Sequence, residues 1–97
     1  MQTTLEIIDT IRQSKQHLTT TFKLHSVGVF GSVIRGERRD GSDIDVLVDL
    51  DSNADLLDLI GIGQYLEERL QNKVDVVPMA ALRQEFRDQV LKEVCYL

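Results

Sequence analysis

The 97-residue sequence predicts an α/β fold in which helices pack on a small mixed β-sheet. Apolar residues recur at helical spacing in three segments, and apolar and polar residues alternate along residues 44–50. The order of the elements, α-β-β-α-β-α, is typical of strands connected and covered by helices. The length suits one compact domain over residues 1–97 with a single hydrophobic core.

The first helix is predicted over residues 4–22. Its apolar residues recur at helical spacing, with polar and charged residues between them. They are Leu5, Ile8, Ile11, Leu18 and Phe22. Thr3 or Thr4 can cap this helix, and Glu6 suits the positive end of its dipole.

Two strands follow, predicted over residues 26–30 and 44–50. The first ends at Gly31-Ser32, and a charged turn over residues 36–42 leads into the second. One face of the second strand carries Ile44, Val46, Val48 and Leu50, and the other carries Asp43, Asp45, Leu47 and Asp49. The first of these faces is wholly apolar, whereas the second carries the acids.

A second helix is predicted over residues 55–71. Its apolar stripe is Leu56, Leu59, Ile60, Leu66 and Leu70, and its candidate N-caps are Asp51, Ser52 and Asn53. Gly61 and Gly63 each cost a helix about 1 kcal/mol relative to Ala, so a kink is expected there. Asn72 suits the left-handed residue that follows the helix.

The last part of the chain predicts one more strand and one more helix. The strand covers residues 73–77 and stops at Pro78. The helix covers residues 82–94, and its apolar residues are Leu82, Phe86, Val90 and Val94. Their regular spacing of four predicts that this helix also packs on the sheet.

Composition excludes some classes of protein. The net charge of −5 argues against a binder of duplex DNA. No apolar run approaches the roughly 20 residues that span a bilayer, and the first residues lack the pattern of a secretory signal. The one cysteine, Cys95, cannot form an internal disulfide and is expected to be a small core residue. We therefore expect a cytoplasmic protein that contacts neither membranes nor nucleic acid directly.

The Gly31-Ser32 step after the first strand is one candidate for chemistry. Gly31 has no Cβ, so a ligand can approach its backbone closely. A short helix beginning at Ser32 would present free N–H groups to an anion, and the Ser32 hydroxyl could donate to a phosphate oxygen. Taken alone, such a step is more often an ordinary turn that ends a strand.

Three aspartates are the other candidate. Asp43 and Asp45 lie on the same face of a strand, about 6–7 Å apart in Cα, and repel each other unless a cation lies between them. Asp75 lies in an apolar strand, where an unpaired carboxylate would be costly to bury. If the strands of Asp45 and Asp75 are neighbours, the three acids can hold two Mg²⁺ ions as in nucleotidyl transfer. Each acid taken alone could instead face water.

The order and spacing of these features narrow the choice. A Gly-Ser pair, ten residues, an Asp-x-Asp pair and a third acid in a later strand form a pattern that resembles the DNA polymerase beta-like nucleotidyltransferase superfamily. Segments 31–49 and 73–78 resemble its minimal members, the prokaryotic MNT-domain proteins, which are the small partners in HEPN/MNT toxin–antitoxin pairs. The resemblance covers almost the whole chain.

This resemblance implies a role for each site residue. Asp43, Asp45 and Asp75 match the catalytic and metal-binding carboxylates, of which the third helps to activate the attacking hydroxyl. The implied nucleotide-binding positions are Gly31, Ser32, Arg35 and Ser42. Arg38 and Arg39 are weaker candidates, since exposed arginines are common.

The resemblance also implies a function. The expected activity is transfer of AMP from ATP, with two Mg²⁺ ions, to a hydroxyl of a partner HEPN toxin, a tyrosine in the family. The alternative from another class is an antitoxin that inhibits its toxin by stoichiometric binding without catalysis. A third possibility, a nucleotidyltransferase acting on a small molecule, is disfavoured because the chain has no separate acceptor-binding domain.

Overall fold

The computed structural model describes residues 2–39 and 41–97, so Met1 and Asp40, the latter in the predicted charged turn, lie outside the described residues. The elements are α1 (Thr4–Phe22), β1 (Leu24–Phe30), α2 (Ser32–Arg35), β2 (Ile44–Leu50), α3 (Leu56–Leu70), β3 (Val74–Pro78), a 3₁₀ turn (Met79–Ala81), α4 (Gln84–Glu93) and β4 (Cys95–Tyr96). The predicted α/β class and element order are confirmed. The sequence does not predict β4, because two residues are too few to show a period.

One four-stranded mixed sheet, in the order β3-β2-β1-β4, lies at the centre of the fold. β1 pairs antiparallel with β2 and with β4, whereas β2 pairs parallel with β3. A parallel pair needs a crossover connection, and α3 supplies it. In the central strand β2, Ile44, Val46 and Val48 are completely buried, and Leu47 on the opposite, acidic face is buried as well.

Helix α1 has the predicted bounds and is capped by Thr3, but it buries only part of the predicted stripe, namely Ile11 and Leu18. The buried residues are Ile7, Ile11, Ser14 and Leu18. Leu5 is 78% exposed, so the prediction was wrong there. Helical spacing also permits a stripe through Ile7 that includes Ser14. Ser14 can be buried because its hydroxyl donates to the carbonyl of Thr10 at 2.8 Å.

Helix α3 also buries only part of its predicted stripe. Its buried residues are Ile62, Leu66 and Leu70. The prediction holds for Leu66 and Leu70 but is wrong for Leu56 and Ile60, which are 68% and 46% exposed. Leu59, in the same turns, is partly buried and packs against the core.

The start of α3 differs from the prediction as well. Its N-cap is Asp55, which forms a reciprocal capping box with Asp58. The predicted caps, Asp51, Ser52 and Asn53, lie in the preceding turn. There the Asp51 carboxylate accepts the N–H of Asn53 at 3.0 Å and so shapes the turn instead of the helix.

The left-handed residue after α3 is Gln71 rather than the predicted Asn72, with φ at 52°. Asn72 has a different role. Its side-chain amide donates to the carbonyls of Ser42 and Lys73, at 3.0 and 2.9 Å. These bonds tie the entry of β3 to the entry of β2.

Gly61 decides how closely α1 and α3 approach. Helix α3 runs without interruption through Gly61 and Gly63. A Cβ on Gly61 would overlap the ring of Phe22 in α1, whereas a Cβ on Gly63 would make an ordinary contact of 3.5 Å with Val76. Gly61 therefore offsets its low helix propensity by allowing the two helices to pack.

Helix α4 covers Gln84–Glu93 instead of the predicted residues 82–94, and none of its residues is buried. The apolar stripe predicted for it therefore does not enter the core. Cys95, expected in the core, is only partly buried in β4. Among the helices of the described residues, none is long and apolar enough to cross a membrane.

Candidate active site

The register of the sheet brings the predicted acids to one edge. β2 and β3 pair with Asp45 beside Asp75, and β1 and β2 pair with Phe30 opposite Asp45. Gly31 directly follows β1, and Asp43 directly precedes β2. The strands that carry Asp45 and Asp75 are therefore neighbours, as the predicted acidic site requires.

Gly31 is required by its contact with Asp45. Its φ of +77° is a conformation that residues with a side chain rarely adopt. A Cβ at this position would overlap the Asp45 carboxylate. The sequence suggested that Gly31 leaves room for a ligand, and the structure adds that it leaves room for a predicted metal-binding side chain.

Helix α2 is a single turn with Ser32 at its first position. Gly31 is its N-cap and provides no side-chain acceptor, while the Gly31 carbonyl accepts the N–H groups of Ile34 and Arg35 at 3.1 Å each. The first N–H groups of a helix have no acceptor within that helix. The position predicted to hold phosphate oxygens therefore lies beside Asp45.

The three acids affect one another. Burial raises the pKa of Asp45 above its ordinary value, and the negative charges of Asp75 and then Asp43 raise it further. Arg35 opposes this rise only in part. Asp45 is partly buried, whereas Asp43 and Asp75 are exposed. The charge of Arg35 does not balance the negative charge of the three carboxylates, and a bound cation would relieve their repulsion.

The donor atoms of this site fit a magnesium ion, which prefers carboxylate oxygens. Within residues 2–39 and 41–97, no three His, Cys, Asp or Glu side chains lie close enough together to enclose a metal ion. A divalent cation beside Asp45 and Asp75 would therefore need phosphate oxygens among its ligands, which is usual for Mg²⁺.

Glu93, at the end of α4, belongs to the site although the sequence did not indicate it. Its Oε2 accepts the N–H of Gly31 at 2.8 Å, and its Oε1 accepts Nη1 of Arg35 at 2.7 Å. Burial would raise the pKa of Glu93, but these bonds outweigh that effect and lower it. Glu93 is therefore ionised at neutral pH. No local pattern could have revealed it, because its partners lie 62 and 58 residues away.

Arg35, predicted to bind nucleotide, lies between two carboxylates. Its Nε donates to Oε1 of Glu37 at 2.6 Å, in addition to the bond with Glu93. These two partners raise the pKa of the guanidinium above its already high value. Arg35 thus lies at the cleft but is already paired.

Arg38 and Ser42 are occupied elsewhere. Nη2 of Arg38 donates to the side chain of Asn72 at 2.7 Å, and the Ser42 hydroxyl accepts the N–H of Arg39 at 3.1 Å. These contacts order the turn before β2 and the entry of β3. They place Arg38 in a different cavity from the one that contains Asp45 and Asp75.

A cleft of about 340 Å³ opens over Asp45 and Asp75, and Asp43 does not line it. Its polar wall contains Gly31, Arg35, Asp45, Asp75, Gln89 and Glu93, and its apolar wall contains Phe30, Val77, Leu82, Phe86 and Val90. The apolar stripe of α4 therefore lines this cleft, which explains why it is not buried. Phe86 remains 54% exposed there.

This chain is similar to known proteins in both sequence and fold. The family model of the nucleotidyltransferase domain matches residues 11–97. The protein adenylyltransferase MntA of Thermococcus cleftensis is 40% identical over 95 residues, which cover 97% of this chain and 96% of that protein.

Solved structures share the fold. One, described as a candidate minimal nucleotidyltransferase, has a TM-score of 0.82 at 38% identity and covers 96% of this chain and 95% of that one. A crystal structure of a mutant MntA toxin–antitoxin complex has a TM-score of 0.69 at 25% identity and covers 89% of this chain and 70% of that one. The fold, the acidic edge of the sheet and these matches agree: the chain is a nucleotidyltransferase and belongs to the nucleotidyltransferase domain family.

Proposed function

We propose that this domain transfers AMP from Mg²⁺–ATP to a tyrosine hydroxyl of a HEPN toxin and thereby neutralises it. The observation that carries the proposal is the pairing of Asp45 with Asp75 across β2 and β3, beside the Gly31 turn. This arrangement suits phosphoryl-type transfer, which depends on positioning and charge neutralisation more than on covalent participation by the protein.

Asp43, Asp45 and Asp75 would hold two Mg²⁺ ions together with phosphate oxygens of the donor. When bound, the metal would neutralise charge on the phosphates and on the reacting oxygens. The raised pKa of Asp45, caused by burial and by its two acidic neighbours, supports this assignment because the site is short of positive charge. The exposed Asp75 would accept the proton of the attacking hydroxyl.

The remaining residues would bind the donor. The Ser32 hydroxyl and the N–H groups that follow Gly31 would hold the outer phosphates, and Arg35 would flank them. The acceptor oxygen forms a bond to the α-phosphorus, the bond to the β-phosphate oxygen breaks, and pyrophosphate leaves with that electron pair. The apolar wall with Leu82 and Phe86 would cover one side of the bound donor.

The nature of the acceptor is supported by the relatives. A protein 40% identical over nearly the whole chain is named a protein adenylyltransferase, and a structure with the same fold is a toxin–antitoxin complex. Phe86 in the apolar wall of the cleft is half exposed to solvent, so a side chain of another protein can reach the cleft. An ATP donor and a single cysteine suit a cytoplasmic setting.

The test is mass spectrometry of a HEPN protein encoded beside this chain, after incubation with the domain and Mg²⁺–ATP. We expect the mass of one or more AMP groups on a tyrosine, and none with Asp43→Asn or Asp45→Asn. Asp49→Asn, a change in the same strand outside the cleft, is the matched control and should leave the transfer intact. An unmodified partner in the wild-type reaction would refute the proposal.

A second candidate function is inhibition by binding alone. Leu56, Leu57 and Ile60 form an exposed apolar surface on α3, with 68%, 75% and 46% exposure, which favours a protein contact. If binding suffices, the Asp43→Asn/Asp45→Asn double variant protects cells from the toxin as well as the wild type does. Loss of protection in that variant, with complex formation retained, supports catalysis instead.

A further inference from the structure

Glu93 holds both ends of the short helix α2. The residue before the helix, Gly31, donates its N–H to one carboxylate oxygen, and the last residue of the helix, Arg35, donates to the other. A single side chain from the last turn of α4 thus spans the turn that carries Ser32.

Helix α2 needs such support. A helix of one turn has a costly nucleus and too few internal hydrogen bonds to persist alone. Its N-cap is a glycine, which has no side chain to accept an N–H. The side chain of Glu93 is 14% exposed, and both of its oxygens have partners, one of them a charged guanidinium. Hydrogen bonds that involve an ionised group are about twice as strong as neutral ones.

The Glu93 carboxylate does not occupy all the N–H groups that a phosphate of the nucleotide could use. It engages the N–H of Gly31, which precedes the helix, rather than the N–H of Ser32 at the first helical position. It engages Nη1 of Arg35, while Glu37 engages Nε. Of the five N–H donors of a guanidinium, three are left over for a phosphate.

We infer that Glu93 is a positioning residue for the donor nucleotide. It sets the place of Ser32 and the orientation of Arg35 relative to Asp45 and Asp75, and it ties this turn to the helix that forms the apolar wall. The inference rests on the proposed function above, since it assigns these residues to the donor side of that reaction.

The test compares Glu93→Ala, Glu93→Gln and the control Glu85→Gln. Glu85 also lies on α4, but its partner is Arg83 at 3.8 Å, away from the cleft. We expect Glu93→Ala to lower kcat for AMP transfer by about ten- to a hundredfold, the loss typical of a misplaced reacting group, and to raise KM for Mg²⁺–ATP. Glu93→Gln, whose amide oxygen still accepts the N–H of Gly31, should recover most of kcat. Glu85→Gln should match the wild type.

Hydrogen exchange gives a readout that does not depend on activity. In Glu93→Ala, the Gly31 amide and the amides of α2 should exchange at least tenfold faster, while those of β2 stay protected. If the wild type binds no Mg²⁺–ATP and transfers no AMP, the proposed function fails, and this exchange result still decides whether Glu93 holds the turn.

Three results would overturn the inference. Unchanged kcat, KM and exchange in Glu93→Ala would show that the contact has no consequence. Tighter binding of Mg²⁺–ATP in Glu93→Ala would show that the carboxylate competes with phosphate. A Glu93→Gln variant that keeps its thermal midpoint but has the full kinetic defect of Glu93→Ala would exclude positioning through the Gly31 bond.

Discussion

The carboxylate of Asp45 lies against the backbone of Gly31 so closely that no Cβ fits between them. Two parts of the motif, the Gly-Ser turn and the Asp-x-Asp strand, are therefore in direct contact, because β1 and β2 pair with Phe30 opposite Asp45. Gly31 therefore has two roles: it adopts the positive φ of the turn, and it leaves room for the Asp45 carboxylate.

Substitution of Gly31 should cost more than substitution of a comparable glycine. Gly36 also has a positive φ, of 72°, but no described atom lies within 4 Å of a Cβ built there. We expect Gly36→Ala to destabilise the fold by about 1–2 kcal/mol through its dihedral angle alone. Gly31→Ala should cost more, because the overlap with Asp45 adds to the dihedral strain. Urea unfolding measures both, and Asp45→Ala in the Gly31→Ala background should recover the added part.

Replacement of Asp45 or Asp75 by asparagine should abolish AMP transfer, and for Asp45 it should do so without lowering the stability of the fold. We expect each variant to lose AMP transfer at least a hundredfold, since a metal-holding carboxylate is removed. In the presence of EDTA, Asp45→Asn should not lower the thermal midpoint. The reason is that burial and the charge of Asp75 raise the pKa of Asp45, so its ionised form destabilises the fold at neutral pH. A clear drop in the midpoint would contradict this reading of the site.

The capping box of α3 should make stability depend on pH. The N–H of Asp55 and then Lys23 donate to Asp58 and lower its pKa below the ordinary value. Because the pKa of Asp58 is lower in the folded state, its carboxylate stabilises the fold at pH values above its unfolded-state pKa of about 4. This stabilisation is lost as the pH falls through the folded-state pKa. Asp58→Asn should therefore destabilise the protein at pH 7 and leave it little changed at pH 2. Asp88→Asn on the exposed face of α4 is the control and should behave as wild type at both values.

Two glycines of α3 should respond in opposite directions to alanine. Gly63→Ala should stabilise the protein by up to about 1 kcal/mol, because alanine favours a helix and its Cβ makes an ordinary contact with Val76. Gly61→Ala should destabilise it despite the same gain in propensity, since its Cβ would overlap the Phe22 ring. Thermal midpoints of the two variants, measured side by side, check this. Equal effects would mean that Phe22 can move aside freely.

Much of the fold follows from local pattern. The bounds of α1 and β2 agree with the prediction, and the β-strand ending at Gly31-Ser32 is where the apolar run places it. The period of side chains along a helix or a strand depends only on the backbone, so contiguous residues display it. The order and spacing of the Gly-Ser pair and the aspartates likewise belong to the sequence alone.

Other features required the packed structure. The spacing of apolar residues in α1 and α3 is compatible with more than one buried face. Packing in the folded structure decides that Ile7 of α1 and Ile62 of α3 are buried. The meeting of Asp45 with Asp75 follows from the parallel register of β2 and β3, which hydrogen bonds between separate strands set. Glu93 reaches Gly31 across 62 residues because β4, which directly follows α4, pairs with β1. The sequence by itself determined which residues could form the acidic site, and tertiary structure decided which residues hold that site in place, because such contacts join segments that no local period connects.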